Sequence, residues 1–165
     1  MRHLASSLLV LVLMVSPAMA QDADRVELKG VVGMSGFLDE VTDYRAVVGG
    51  AARFYIPPGF AFEPEFLYLR ESPRREDYSF QTGVVWQFQS GAGFQPYLVA
   101  GAGVRHSRFR FPGALRERFS SNAFIGDGGV GARILVGNRF TISPEFWLGG
   151  EPIVRATVSF GYAFH

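Results

Sequence analysis

Residues 77–89 read DYSFQTGVVWQFQ and contain the clearest two-residue alternation in the chain. From Tyr78 to Phe88, every second residue is aromatic or aliphatic except Thr82, whereas most residues between them are small or polar. Successive side chains of a β-strand point to opposite faces, so a period of two indicates a strand with two different faces. The stretch therefore predicts a strand with one apolar face and one mainly polar face.

Seven further segments repeat this alternation and are separated by turn signals. Pro64 predicts a local irregularity in the third strand, because proline cannot donate to a strand ladder. Short turns are predicted at residues 57–59, 90–93 and 137–138, and the polar, basic residues 109–121 are predicted to form the longest loop. The eight predicted strands cover residues 26–37, 44–56, 60–69, 78–89, 95–108, 124–136, 140–148 and 154–164.

The distribution of polarity over these strands predicts a membrane protein. A soluble barrel keeps its apolar side chains inside, whereas here the mixed face combines Gly with Arg, Glu, Gln and Ser, and the other face is mainly apolar. We therefore predict an all-β fold, an eight-stranded antiparallel up-and-down transmembrane β-barrel. Aromatic girdles are expected at the two ends, one with Phe54, Phe60, Phe62, Trp86, Phe88, Phe140, Tyr162 and Phe164, and the other with Tyr44, Tyr68, Tyr78 and Phe80.

The first twenty residues predict a secretory signal peptide. Arg2 and His3 precede an apolar run at residues 8–15, and the small-residue site Ala18-Met19-Ala20 follows it. The run is about half the length of the roughly 20 residues that a spanning helix needs, so a cleaved signal is favoured over a membrane anchor. We expect residues 1–20 to be removed on export.

Residues 21–165 are then expected to form one barrel domain, integral to the cell outer membrane. They number 145, enough for eight strands of about 9–11 residues. They hold 15 acidic and 15 basic residues, so no overall charge bias indicates a nucleic-acid partner. The chain has no cysteine, and a closed hydrogen-bonded barrel would have to hold the fold without disulfides.

An internal repeat relates the two halves of the chain at a spacing of 80 residues. It pairs Arg53 with Arg133 and the segment Pro64-Glu65-Phe66 with Pro144-Glu145-Phe146. The match needs no gap, so we interpret it as a duplicated four-stranded unit. The alternative is chance similarity between two amphipathic hairpins.

The polar face carries charges of both signs, which would point into the barrel. Buried charges are costly unless they are paired, so we expect a lumen network of ion pairs. Eight strands leave room for packed side chains but not for an open channel, which favours a packed polar lumen over a proton or ion path. The predicted network comprises Glu27, Lys29, Arg53, Glu63, Glu65, Arg133, Glu145 and Arg155.

Catalytic residues are hard to assemble from this composition. After removal of the signal only His106 and His165 remain, which excludes a three-histidine zinc site. His106 adjoins Ser107, but neighbouring residues of a strand face opposite ways and cannot form a nucleophile and base pair. We therefore predict no catalytic residues, no metal and no cofactor.

The predicted loop carries several arginines interleaved with phenylalanines. Such a composition could bind single-stranded nucleic acid, but at an outer-membrane rim the available anion is the phosphate of lipid A, which arginine grips bidentately. A solvated loop without a ligand is the alternative. The arginines of the predicted lipid A contact are Arg105, Arg108, Arg110, Arg116 and Arg118.

From about residue 24 to its end, the chain resembles the OmpA/OmpX-like family of small outer-membrane β-barrels. The resemblance rests on residues 101–104 (GAGV), residues 128–133 (GGVGAR), Pro144-Glu145-Phe146 and the aromatic last strand. The family usually ends on its aromatic residue, whereas here Phe164 is followed by His165. That departure bears on how the assembly machinery recognises the last strand.

The resemblance implies a non-enzymatic integral barrel that is structural or interacts with lipid or lipopolysaccharide. Its expected partners are outer-membrane lipid, lipopolysaccharide and the outer-membrane assembly machinery, with the barrel acting as a monomer and without nucleic acid. Two alternatives remain open. One is a barrel enzyme that modifies lipid A, and the other is a soluble lipocalin-like ligand carrier, which would need an apolar lumen.

Overall fold

The computed structural model describes residues 26–37, 44–56, 58–72, 75–88, 93–110, 118–150 and 153–164. The predicted signal peptide lies outside these residues. Among the described residues, no helix is long and apolar enough to cross a membrane. The elements are β1 (Val26–Phe37), β2 (Arg45–Ile56), β3 (Phe60–Ser72), β4 (Arg75–Gln87), β5 (Phe94–Arg110), β6 (Arg118–Val136), β7 (Phe140–Gly149) and β8 (Ile153–Phe164).

The eight strands form one closed barrel in sequence order, and each strand pairs antiparallel with its neighbours. Closure joins the first and last strands, with Val26 opposite Phe164 and Phe37 opposite Ile153. A closed sheet has no exposed strand edge along these pairs, so no disulfide is needed to protect it. The predicted fold class is confirmed.

The predicted alternation decides which side chains face outward. In β4, Val84 is 56% exposed and its neighbour Val85 is fully buried, although the two residues are chemically identical. The other strands follow the same rule, with apolar side chains outside and most charged ones inside. This polarity is that of a membrane barrel and the reverse of a soluble one.

The two ends of the barrel carry the aromatic pairs that the sequence predicted. At the end with the short turns, Phe60 stacks on Trp86 with ring centroids 6.3 Å apart, and Phe140 meets Tyr162 at 5.3 Å. At the opposite end, Tyr68 and Tyr78 lie 5.2 Å apart. Short turns belong on the periplasmic side of such barrels, so this tyrosine pair marks the outer interface.

Pro64 interrupts hydrogen bonding without shifting the strands. The β2–β3 ladder pairs Ala51 with Glu65 and Phe54 with Phe62, which is the same register on both sides of the proline. On the other side of β3, Pro64 lies opposite Thr82 in an unbroken stretch of ladder. The expected irregularity is therefore a local gap in one ladder.

The prediction of a long loop over residues 109–121 was wrong. β5 runs on to Arg110 and β6 begins at Arg118, so β6 extends beyond the end of its ladder with β7, while β4 stays paired with β5 up to Phe109. The alternation continues beyond the apolar segment, and a cross-strand contact between Phe109 and Phe119, 6.4 Å apart, supports the pairing. Outside the membrane a strand does not need an apolar outer face, which is why polarity alone suggested a loop.

Val84 tests the assignment of the outer surface. It lies between the two girdles, so Val84→Arg should destabilise the barrel by about 2–4 kcal/mol in bilayers, whereas Tyr44→Arg at the outer rim should cost about 0–1 kcal/mol. Denaturant unfolding of refolded protein in vesicles measures both, with Val84→Leu as the volume control. Equal stability of the two arginine variants would contradict a membrane mid-plane at Val84.

Candidate functional site

The lumen contains four carboxylates and four basic groups that the sequence predicted to point inward. Each residue is at most 6% exposed. They come from β1, β2, β3, β6, β7 and β8, so contacts among them cross the interior. The set consists of Glu27, Lys29, Arg53, Glu63, Glu65, Arg133, Glu145 and Arg155.

Glu145 accepts hydrogen bonds from four side chains. The Tyr97 hydroxyl donates to its Oε1 at 2.5 Å and the Trp147 indole Nε1 donates to its Oε2 at 2.9 Å. Lys29 Nζ lies 2.9 Å from Oε1 and Arg53 Nη2 lies 3.5 Å from it. The donors belong to β1, β2, β5 and β7, so one carboxylate ties together strands around the barrel.

Lys29 and Arg53 connect Glu145 to a second carboxylate, Glu63 on β3. Lys29 Nζ donates to both oxygens of Glu63, at 3.0 and 3.2 Å, and Arg53 Nε donates to Glu63 as well. The guanidinium of Arg53 also lies over the ring of Tyr97, 4.4 Å from its centroid. Two cations thus lie between two carboxylates, an arrangement that offsets the cost of burying each charge.

Glu27 forms a second centre near the periplasmic end. It accepts hydrogen bonds from the Tyr55 hydroxyl at 2.6 Å, the Thr141 hydroxyl at 2.6 Å and Arg133 Nε at 2.8 Å. Its carboxylate and the Thr141 hydroxyl occupy the space where a Cβ at Gly161 would stand. The glycine of β8 is therefore what makes room for this carboxylate.

Glu65 lies above these groups, toward the outer end. Arg155 Nη1 donates to it at 2.6 Å and Gln81 Nε2 at 2.7 Å, both to Oε1. The Arg155 guanidinium stacks on Trp147, 4.4 Å from the ring centroid. Still further out, Arg45 Nη1 lies 3.0 Å from Asp77 Oδ2 in a pair that is also buried.

Several of these partners were missing from the predicted site. They are the aromatic donors Tyr55, Tyr97 and Trp147 and the outer pair Arg45 and Asp77. The two-residue alternation along each strand indicates that these side chains point into the lumen. Which of these side chains come into contact depends on the register between neighbouring strands, and the sequence does not provide that register.

The 80-residue repeat is visible in the pairing but not in the ion pairs. Ala51 pairs with Glu65 in the first half and Gly131 pairs with Glu145 in the second, at equivalent positions. Arg53 finds a carboxylate at Glu63, but the corresponding position of the second half is Ser143. Arg133 instead reaches Glu27 in the first half, so the network joins the two halves across the lumen.

Two arginines of the predicted lipid A contact, Arg105 and Arg108, have side chains that the structure describes. Arg105 is half-buried and lines a cavity inside the barrel, whereas Arg108 is exposed on the outer face. Arg110 and Arg118 are paired with each other near the tip of the hairpin, and Arg116 lies outside the described residues. Arg105 and Arg108 therefore lie on opposite faces of β5, and a contact between the other three arginines and lipid A stays a prediction.

His106 and Ser107 point in opposite directions. Ser107 is buried, whereas the His106 ring is at the outer face with its Nδ1 2.7 Å from Asn122 Oδ1. Arg108 Nε lies 3.3 Å from His106 Nε2, and its guanidinium lies 5.3 Å from the centre of the Tyr78 ring. These residues make a polar and aromatic patch at the level of the outer girdle.

Comparison with solved structures finds the same fold in several outer-membrane proteins. The N-terminal barrel of Pseudomonas aeruginosa OprF matches with a TM-score of 0.65 at 13% identity, over 87% of this chain and 100% of that one. Yersinia pestis Ail, in complex with the heparin analogue sucrose octasulfate, matches at 0.55 and 13% identity, over 84% and 95%. The outer membrane enzyme PagL matches at 0.50 and 15% identity, over 82% and 98%.

At these identities the structural matches establish the fold alone. No curated protein matches the sequence. The family model described as the outer membrane protein beta-barrel domain matches residues 5–151, which is most of the chain. With the closed eight-stranded barrel and its apolar exterior, this match shows that the chain is a member of the outer membrane β-barrel protein family.

Proposed function

We propose that this protein is a non-enzymatic, integral outer-membrane barrel with a packed lumen, which serves a structural role and contacts lipid or lipopolysaccharide at its outer rim. The observation that carries the proposal is the Glu145 centre, where donors from four strands meet in the interior. A transport path would have to pass through these ion pairs.

Apolar side chains support the packed lumen around the charged layer. One buried cluster contains Ala61, Val85, Tyr97, Val99 and Trp147, and a second contains Val31, Val47, Leu67 and Leu69. Side chains from β3, β4, β5 and β7 contribute to the first cluster. Together with the ion pairs they block a continuous path through the bore, as expected for eight strands.

Lipid contact at the outer rim is supported by the patch that Arg108 shares with His106 and Tyr78. An arginine beside aromatic rings at the interface can pair with lipid phosphate while the rings sit at headgroup depth. Ail, which has this fold, was crystallised with a polyanionic heparin analogue. That likeness favours an anionic partner but does not identify one.

The two alternatives are weaker on this geometry. PagL proves that the fold can carry an enzyme, but here Ser107 is buried on the opposite side of the strand from His106. A lipocalin-like carrier would need an apolar lumen, whereas this one is crossed by charges. We further propose that residues 1–20 are cleaved on export, that the assembly machinery inserts residues 21–165, and that the barrel is monomeric.

Membrane fractionation followed by gel electrophoresis with and without heating tests the proposal as a whole. A folded barrel should be found in the outer membrane, beginning at Gln21, and should migrate differently before and after boiling. Recovery of the mature chain in the soluble fraction would favour the carrier.

The lumen ion pairs should contribute strongly to stability. Lys29→Met leaves buried carboxylates with fewer partners and should lower the free energy of unfolding by about 3–5 kcal/mol. Adding Glu63→Gln should cost less than the two single changes together, by about 0.5–3 kcal/mol. Arg139→Ala, in the exposed turn after β6, is the control and should leave the urea midpoint unchanged. Strict additivity of the lumen pair would contradict the network.

Purified protein in planar bilayers should give no large, stable channel, since side chains fill an eight-stranded bore. Single-channel recording measures this directly, with a porin as positive control. A steady porin-sized current from the wild type that persists after repurification would contradict the packed lumen.

Expression of the protein should leave the mass spectrum of lipid A unchanged, because the neighbouring Ser107 faces the opposite side of the strand from His106. Lipid A from cells with and without the protein provides the comparison. A new lipid A species that disappears in His106→Ala would establish the enzymatic alternative.

A further inference from the structure

A cavity of about 180 Å³ lies in the outer half of the lumen, beside Arg155. It is lined by charged and polar side chains together with apolar walls from Leu67, Ile125 and Trp147. One buried water needs roughly 10–15 Å³ of such space, so the cavity could hold a small organic group. The charged side chains that line it are Arg105, Asp127 and Arg155.

Arg155 presents an open edge of its guanidinium in this cavity. Nη1 is used by Glu65, but Nε and Nη2 are buried and have no hydrogen-bond partner among the described residues. These two nitrogens form one side of the guanidinium fork, the geometry that binds a carboxylate or phosphate through two parallel hydrogen bonds. Arg155 is only 6% exposed, so water outside the barrel does not satisfy them.

Acceptors without donors lie in the same cavity. Asp127 Oδ1 and Gln81 Oε1 are buried and unpartnered within the part of the chain that the structure describes. A simple anion would satisfy Arg155 but would be repelled by the Asp127 carboxylate. A ligand that also carries an ammonium group would satisfy both. Because Glu65 already pairs with Arg155, the two guanidiniums are balanced by two carboxylates, which favours a zwitterion over a simple anion.

The cavity reaches the barrel wall at the level of the outer girdle. Phe124, which is 78% exposed on the outside of β6, lines it together with Gly126. The β6–β7 ladder ends where Asp127 pairs with Gly149, so β6 continues outward without β7 beside it. Phe124 occupies the same ladder row as Phe80, and that row lies next to the row of Tyr78. A membrane headgroup could therefore approach from the side.

We propose that this cavity is a binding site for a phosphate–ammonium zwitterion of the phosphoethanolamine class, with Arg155 holding the phosphate and Asp127 the ammonium. The source is either a lipid headgroup that enters beside β6 or a free small molecule that enters from the outer end. The inference rests on the proposed membrane-embedded barrel and deepens its lipid contact.

Binding is tested with the full mature chain refolded into nanodiscs of the phosphorus-free lipid digalactosyldiacylglycerol, with O-phosphoethanolamine as probe and phosphorus NMR titration as readout. Arg155→Lys keeps a charge for Glu65 but loses the fork, and should weaken binding at least tenfold. Arg133→Lys, an equally buried arginine away from the cavity, is the matched control and should bind like the wild type. A loss that is the same in both variants would overturn the site.

Asp127→Asn provides the second test and does not touch the Arg155–Glu65 pair. It should weaken phosphoethanolamine binding and leave inorganic phosphate binding unchanged or tighter, because a repulsive carboxylate is removed. Equal effects on the two probes would contradict the ammonium contact. Phosphatidylethanolamine added to the nanodiscs should compete with the probe if headgroups enter from the side. Lack of competition, with the Arg155 and Asp127 effects intact, assigns the site to a free ligand.

Gel migration of every sample with and without heating reports whether the barrel is folded. It therefore distinguishes a failure of the binding site from a failure of the barrel. A wild-type barrel that is folded but binds no phosphoethanolamine would overturn this inference and leave the barrel standing, with water filling the cavity. A chain that forms no heat-modifiable barrel would overturn the proposed function itself.

Discussion

Charge burial inside a closed barrel is the constraint on which the rest of the structure depends. The outside of the barrel must be apolar to lie in lipid, so the polar residues have only the lumen, where each carboxylate needs several donors. Glu145 obtains them from β1, β2, β5 and β7, and Glu27 from β2, β6 and β7. These contacts require all eight strands to be closed in the correct register, so register and charge pairing support each other.

The assignment of each side chain to the lipid or to the lumen could be predicted from the sequence, because it depends only on the two-residue alternation along each strand. Val84 and Val85 show why, since their chemistry is the same and parity alone assigns one to lipid and the other to the interior. Pairing across the lumen could not be predicted. Lys29 and Glu145 are 116 residues apart, and only the closed ladder brings them to 2.9 Å. The loop prediction failed for a related reason, because polarity marks where the membrane ends and not where the strand ends.

The strand pairings of the 80-residue repeat are equivalent in the two halves of the chain, but the ion pairs in the lumen are not. Equivalent pairings in β2–β3 and β6–β7 keep the prolines and the Arg53 and Arg133 positions in register. Ser143 stands where the first half has Glu63, and Arg133 pairs with Glu27 of the opposite half. A pair confined to one half would stabilise only a hairpin. The exchange between halves makes each half dependent on the other, which favours cooperative closure of the whole barrel.

The lumen is also unequal along its length, and this difference separates its structural part from its binding part. In the periplasmic and central layers, the carboxylates of Glu27, Glu63 and Glu145 each accept from two or more donors. In the outer layer, Arg155 and Asp127 keep polar atoms that no described residue satisfies, beside open space. A lumen whose only task was stability would gain by filling that space with apolar side chains, as the cluster around Val85 does elsewhere in the bore. The outer layer instead keeps its polar atoms where a ligand can reach them, close to the end of the β6–β7 ladder.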